Sequence, residues 1–202
     1  MAQSYVNDPF PSMRSYKWTG FYGGLQGGYS VSQIDASSGP FPGVHTQTYG
    51  QTSTGFLGGI HFGYNYQFGH YLLGAEIDLE GMNHGTQNAG SLGTIRTTDI
   101  DWQSSLRARL GWVAGPWLLY GTAGWVLAGG DSQLGGVSFT NNYSGWTIGA
   151  GVERAITNVA SLRFEYRYID YGTSKFSNVA SNTQDKISVY DNALRMGLSF
   201  RF

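Results

Sequence analysis

The 202-residue chain reads as an all-β protein, an eight-stranded antiparallel up-and-down transmembrane β-barrel. Three observations predict this. Apolar residues recur every second position in segment after segment, the connections between segments alternate between very short and long, and the charges keep to the polar phase of the alternation. A period of two is the signature of a pleated strand with two unlike faces.

A helical alternative fails at once. Glycine, 31 residues in all, interrupts nearly every apolar segment, as in "TGFYGGLQGGYS" and "YSGWTIGAGVE", and each costs about 1 kcal/mol in a helix. Taken in order, strands are predicted at about 19–33, 54–68, 71–82, 98–113, 117–129, 143–155, 160–171 and 188–202. The second sets Phe56, Ile60, Phe62, Tyr64, Tyr66 and Phe68 against Leu57, His61, Asn65 and Gln67. The third sets Tyr71, Leu73, Ile77 and Leu79 against Glu76, Asp78 and Glu80. In the fourth, Leu106, Leu110 and Trp112 alternate with Arg107 and Arg109, and in the seventh Leu162, Phe164, Tyr166 and Tyr168 alternate with Arg163, Glu165 and Arg167. The fifth, "WLLYGTAGWVLAGG", is apolar in both phases and leaves its facing open. Turns at 67–70, 114–117 and 156–159 are short. Polar connections at about 34–53, 83–97, 130–142 and 172–187 are long, so short and long connections fall at opposite ends. That is the pattern of an outer-membrane barrel with periplasmic turns and extracellular loops, and an even strand number returns both termini to the short-turn side.

Composition narrows the function. Charged residues make up 12% of the chain, against about 25% in soluble domains. A net charge of −1 and scattered basic residues offer no nucleic-acid surface, and with no cysteine there is no disulfide framework, zinc–thiolate site or thiol nucleophile. No apolar run is long enough for a membrane-spanning helix. Residues 1–17, with Pro9 and Pro11, lack the apolar core of a secretory leader and are expected to form a polar periplasmic tail, leaving 18–202 as the barrel.

The choice of outer face follows from volume. An eight-stranded barrel is only wide enough inside for its own side chains. The aromatics of the apolar phase would overfill it, whereas the glycine-rich polar phase fits. Apolar side chains are therefore expected outside and polar ones inside, the inverse of a lipocalin-like carrier. The lumen then receives the acids Glu76, Asp78, Glu80, Asp101, Glu153 and Glu165 and the arginines Arg107, Arg109, Arg163, Arg167, Arg195 and Arg201. Buried charges demand partners, and a guanidinium can bridge two carboxylates, so these residues are expected to interlock and close the lumen. Trp18, Phe21, Phe68, Tyr71, Trp112, Trp117, Trp125, Tyr168 and Phe202, near strand ends, are expected in the interfacial aromatic girdles.

The segments "WTGFYGGLQGGYSVSQ", "GAEIDLEG", "LRARLGW" to "LYGTAGW" and "LRFEYRYIDYG" resemble the outer-membrane β-barrel family of α-proteobacterial surface proteins, the group of immunogenic outer-membrane antigens and haemin-binding porin-like proteins. The resemblance runs from about Trp18 to Phe202 and implies the outer membrane as location, with its lipid and lipopolysaccharide as surroundings. Leu194, Met196, Leu198, Phe200 and the terminal Phe202 resemble the C-terminal signal read by the barrel-assembly machinery. Relatives of this kind can contact peptidoglycan from the periplasmic side, which would make the tail a partner site. Haemin-binding relatives imply haem as a cofactor only by analogy, with His45 and His84, in or beside extracellular loops, as the ligands.

Other chemistry finds little support. Hydrolysis needs a histidine beside an activated serine or paired acids. His84 has Glu80 nearby but no serine of distinct context, and His61 reads as a satisfied lumen residue, so no enzyme and no catalytic residues are expected. Glu76, Asp78 and Glu80 line one face, yet the arginines compete for them, so no metal is expected. The expected role is structural and envelope-stabilising at the cell surface. The rivals are a haemin or small-ligand receptor and a narrow porin.

Overall fold

The computed structural model describes residues 16–40, 47–84, 97–98, 102–134, 137–178 and 183–202, with side chains at 16–33, 52–83, 102–129, 144–172 and 190–202. Eight long strands build it: β1 (Gly20–Pro40), β2 (Gln47–Phe68), β3 (Tyr71–His84), β4 (Trp102–Ala114), β5 (Trp117–Leu134), β6 (Val137–Ala155), β7 (Ala160–Asn178) and β8 (Thr183–Arg201). A two-residue extended piece, Thr97–Thr98, pairs with Gln133 and Ser132 of β5. Every strand pairs antiparallel with its neighbour in sequence, and β1 closes the ring on β8, with Leu25 opposite Leu198 and Tyr29 opposite Leu194. Closure gives the backbone groups partners within the sheet, the condition for crossing lipid with strands. No helix among the described residues is long and apolar enough to cross a membrane.

The short turns are tightened by hydrogen bonds between neighbouring hairpins. Val113 N donates to His70 O at 2.7 Å and Ala155 N to Pro116 O at 2.9 Å. Gly69 and Gly115 turn the chain with φ of 62° and 59°, a region costly for any residue with a Cβ. At the same end Arg201 N donates to Val159 O at 2.8 Å and Phe202 N to Phe21 O at 3.1 Å, tying the C-terminus into the wall.

Facing is inverted throughout. Trp125 is 72% exposed on the outer surface while Arg107, in the lumen, is 1% exposed. Only a surface solvated by lipid makes that distribution favourable, because water would penalise the outer side chains. The strand that was ambiguous by pattern is resolved: Leu119, Trp125 and Leu127 face out, whereas Leu118, Tyr120, Thr122, Val126 and Ala128 face in.

The strands are longer than predicted. The first and second pair onward to Ser38 opposite Gln47, the fifth and sixth to Leu134 opposite Val137, and the seventh and eighth to Asn178 opposite Thr183. Much of what reads as polar loop is paired ribbon. Hydrophobic contrast marks a strand only where its two faces differ in polarity, and a ribbon whose alternate residues are alike in polarity loses that signal while keeping its ladder. Of the fourth strand, predicted from 98, Thr98 pairs with Ser132 and the long ladder is described from Trp102, with residues 99–101 outside the described residues.

Candidate functional site: the ion-pair core of the barrel

The lumen is organised by alternation. On β3 the residues Glu76, Asp78 and Glu80 enter it at successive inward positions. β4 contributes Arg107 and Arg109, β6 Glu153, β7 Arg163, Glu165 and Arg167, and β8 Arg195. Register brings them together: Glu76 lies opposite Arg107, Glu153 opposite Arg163 and Glu165 opposite Arg195.

Arg107 is the hub. It pairs with Glu76, with Asp78 at 2.9 Å and, across the lumen, with Glu165 at 2.8 Å. Glu76 also holds Arg163 at 2.6 Å and accepts from the Tyr22 hydroxyl at 2.7 Å. Arg167 reaches Glu165 at 2.8 Å and Asp78 at 3.2 Å. Arg195 grips Glu80 with two bonds, Nε to Oε1 at 2.9 Å and Nη2 to Oε2 at 3.0 Å, and Glu80 further accepts from Gln26 at 2.7 Å and from Gln103. Arg109 pairs with Glu153, which Ser161 also supports. Among the described residues the ion-paired set is five carboxylates and five guanidiniums, so its formal charge cancels. Desolvating such ions costs several kcal/mol each, which only this density of pairing and hydrogen bonding offsets.

Two tyrosines frame the network. Tyr22 lies opposite Gly63 and Tyr120 opposite Gly151. A Cβ at Gly63 would meet the Tyr22 Oη at 2.5 Å, and one at Gly151 would meet the Tyr120 ring at 2.6 Å, so each glycine clears the space its tyrosine crosses. Tyr120 then donates to Glu165 at 3.0 Å, and the Arg109 guanidinium sits 3.8 Å from the Tyr120 ring centroid.

Apolar layers close both sides of the charged layer. Toward the short turns, Trp18, Leu72, Val113, Leu118, Tyr120 and Ala155 form a cluster covered by Tyr16. Trp18 was expected in the girdle. It is instead 2% exposed inside the mouth, with its backbone N–H donating to Gln67 Oε1 at 3.2 Å, because the chain folds inward before Gly20. Burial pushes the Tyr16 phenol above its ordinary range. Toward the ribbons, Val126, Ala128, Ile169 and Tyr171 pack together, and Tyr171 donates to Gln103 at 2.7 Å.

Ten of the twelve residues expected in the network meet there. Arg201 does not. It lies at the short-turn rim, donates to Asn158 O at 3.0 Å and stacks 4.9 Å from the Tyr16 ring centroid, since the last inward position of β8 stands at the turn end of the strand, beyond the charged layer. Asp101, His45 and the His84 side chain lie outside the described residues, and the haem expectation with them. Tyr22, Gln26, Gln103, Tyr120 and Asp191 were not singled out from sequence. All occupy the inward phase, the signal that could have found them; Asp191 is 1% exposed and accepts from Ser32 at 3.1 Å.

His61 lies 2.8 Å from Ser199 Oγ, a buried pair that resembles part of a hydrolytic triad. Its Nδ1 has no hydrogen-bond partner to orient it among the described residues, and both residues are at most 3% exposed. With no orienting acid among the described residues and both groups buried, the pair is a structural hydrogen bond of the lumen. No group of three His, Cys, Asp or Glu among the described residues is placed to hold a metal. Leu194, Met196, Leu198, Phe200 and Phe202 line the outer surface of the last strand.

An apolar exterior, a closed ring of eight strands and a neutralised polar lumen define an integral membrane β-barrel. Residues 9–202 match the family model described as "Outer membrane protein beta-barrel domain", and the chain belongs to that family. It is 33% identical to the 31 kDa outer-membrane immunogenic protein of Brucella melitensis, over 93% of this chain and 85% of that protein. It is 35% identical to the 22 kDa outer membrane protein of Rhizobium leguminosarum bv. viciae, over 92% of this chain and 78% of that one. In fold it is similar to the outer membrane protein OprG of Pseudomonas aeruginosa, with a TM-score of 0.59 at 15% identity, covering 94% of this chain and 99% of that one. The protein is thus an integral β-barrel of the outer membrane, with its lumen closed by an arginine–carboxylate network.

Proposed function

We propose that this barrel acts as a shut, rigid peg in the outer membrane: it stabilises the envelope, carries its paired ribbons outward and passes no solute. One observation supports this above others. The charged layer spans the lumen through Arg107, which reaches Asp78 at 2.9 Å on one side and Glu165 at 2.8 Å on the other, between two apolar clusters. An ion crossing it would have to break several desolvated pairs at once. Reconstituted into a planar bilayer, the protein is expected to insert without conductance steps. Regular, ion-selective steps from the purified barrel would overturn the reading in favour of a narrow porin.

The chain ends support two further roles. Tyr16 and Trp18 pack at the short-turn mouth of the barrel, which supports reading residues 1–17 as a periplasmic tail that meets peptidoglycan. The outward row Leu194, Met196, Leu198, Phe200 and Phe202 serves as the signal for the barrel-assembly machinery. Phe202 is 75% exposed and contributes no lumen contact. Deleting it should therefore cut the amount of barrel assembled in cells several-fold and leave refolding in detergent unchanged. Equal losses in both would mean the residue serves stability alone.

A further inference from the structure

The rim of the wall on the ribbon side is forked between the sixth and seventh strands. β6 and β7 pair from Ala155 opposite Ser161 up to Trp146 opposite Asp170, where their ladder stops. Both strands continue past that point. β6 stays on β5 as far as Val137 opposite Leu134, and β7 stays on β8 as far as Asn178 opposite Thr183. Above Trp146 the two therefore turn edges toward each other that carry no paired strand among the described residues, β6 at 137–145 and β7 at 171–178.

The fork is built into the backbone. In an unbroken ladder Gly145 would lie opposite Tyr171. β7 takes an extra residue instead, and its register on β8 slips by one between Asp170 and Thr173. Gly172 turns with a φ of 80°, and its N–H is held by Asp170 Oδ1 at 2.7 Å, within its own strand. On the β6 side a Cβ at Gly145 would run into Asp170 O and come within 2.7 Å of the Tyr171 Cα, so glycine is what lets β6 pass this stretch of β7.

A row of backbone N–H and C=O groups along an open edge is a template for one more strand, and proteins blunt such edges with lysine, proline, a bulge or a covering segment. The edges above this wall differ in that respect. The β7 edge carries the bulge and Lys175. The β5 edge is covered where Thr97–Thr98 pairs with Gln133 and Ser132. The β2 edge at 47–54 borders residues 85–96, which lie outside the described residues. The β6 edge reads "VSFTNNYSG", with no charge and no proline, and its register on β5 is unbroken. Val137, Phe139, Thr140 and Tyr143 are strand formers. At a rise of about 3.3 Å per residue the edge is about 30 Å long, enough for a strand of ordinary length.

What fits an open edge is the backbone of an extended chain. A second copy in the same membrane stands the same way up, so its β6 would run parallel to this one, and the stronger antiparallel ladder needs a strand of opposite direction. Its β7 has that direction but carries the same bulge and lysine. We propose that the β6 edge at 137–145 is a docking site for an extended segment of another protein, which enters the fork and adds to the sheet antiparallel to β6. Main-chain hydrogen bonds hold it, so the partner is recognised as an extended, strand-forming segment. The edge lies outside the lumen, so this stands whether or not the lumen conducts.

A random dodecapeptide display library panned against the full chain in detergent supplies the probes, and amide hydrogen exchange of the complexes with the selected synthetic peptides reads the site. Bound peptide should slow exchange at alternate residues of 137–145. N-methylating every second peptide residue should cost at least about tenfold in affinity in one phase and little in the other, because only one phase points its N–H groups at β6. N141K/N142K, which gives this edge the guard that β7 has, should weaken binding by about tenfold, and T52K on the β2 edge should change nothing. Heat-modifiable migration on gels checks that each variant is folded, and the N-methyl series needs only the unaltered chain. Failure to select any peptide would overturn the proposal, as would protection confined to 47–54 or 171–178. Indifference to N-methylation in both phases would overturn it too, since it would mark capture by side chains. So would slow exchange at both phases of 137–145 in the free chain, which would mean that the chain's own residues already cover the edge.

Discussion

At the scale of single residues, the weight of the lumen rests on a few carboxylates that serve more than one arginine. Glu76 holds Arg107, Arg163 and the Tyr22 hydroxyl. Glu76→Gln keeps the shape and removes the charge, leaving two buried guanidiniums short of a counter-ion. It should cost about 3–5 kcal/mol, seen as a lower urea midpoint and a lower temperature for loss of the fast-migrating folded band. Arg201→Ala is the contrast. Its guanidinium stacks on Tyr16 at the half-exposed rim, so the loss should stay below about 1 kcal/mol. Similar losses in the two variants would mean that arginine burial does not govern the stability of this barrel.

At the scale of elements, the segment from Tyr16 to Thr19 behaves as a strap tucked into the short-turn mouth. Trp18 packs edge-on to Tyr16 with centroids 4.6 Å apart, and Gln67 N donates back to Thr19 Oγ1 at 2.9 Å. The strap and the girdle make opposite demands on a tryptophan, and fluorescence separates them. In a bilayer with brominated acyl chains, a variant whose sole tryptophan is Trp18 should keep its emission. One whose sole tryptophan is Trp125, 72% exposed on the outer wall, should be quenched. Quenching of Trp18 would return it to the girdle. The bulge in β7 is the other element-scale device: one extra residue near the top of the strand parts β7 from β6 without disturbing the wall beneath.

At the scale of the whole molecule, the barrel is a layered plug inside an apolar sleeve, and that layering predicts an absence of conductance steps in a planar bilayer and a folded band on unboiled gels in detergent. Much of this was legible in the sequence, because the pleat is a local rule: alternate side chains take opposite faces whatever the rest of the chain does. Strict alternation in "LRFEYRY" and "LRARLGW" was enough to place Arg107, Arg109, Arg163, Glu165 and Arg167 inside and their apolar neighbours in lipid. The same rule went silent where both phases are apolar, as around Leu118, and where neither phase is distinctly apolar, as in "SQIDASS". What the sequence by itself determined was therefore the strand order, the inversion of the faces and the cancellation of charge in the lumen. Only the tertiary structure decided which acid meets which arginine, that Arg201 and Trp18 leave the roles their phase or position implied, and that β6 and β7 part above Trp146. Those outcomes depend on register, stagger and ring closure between residues distant in the chain, and alternation within one strand carries no information about them.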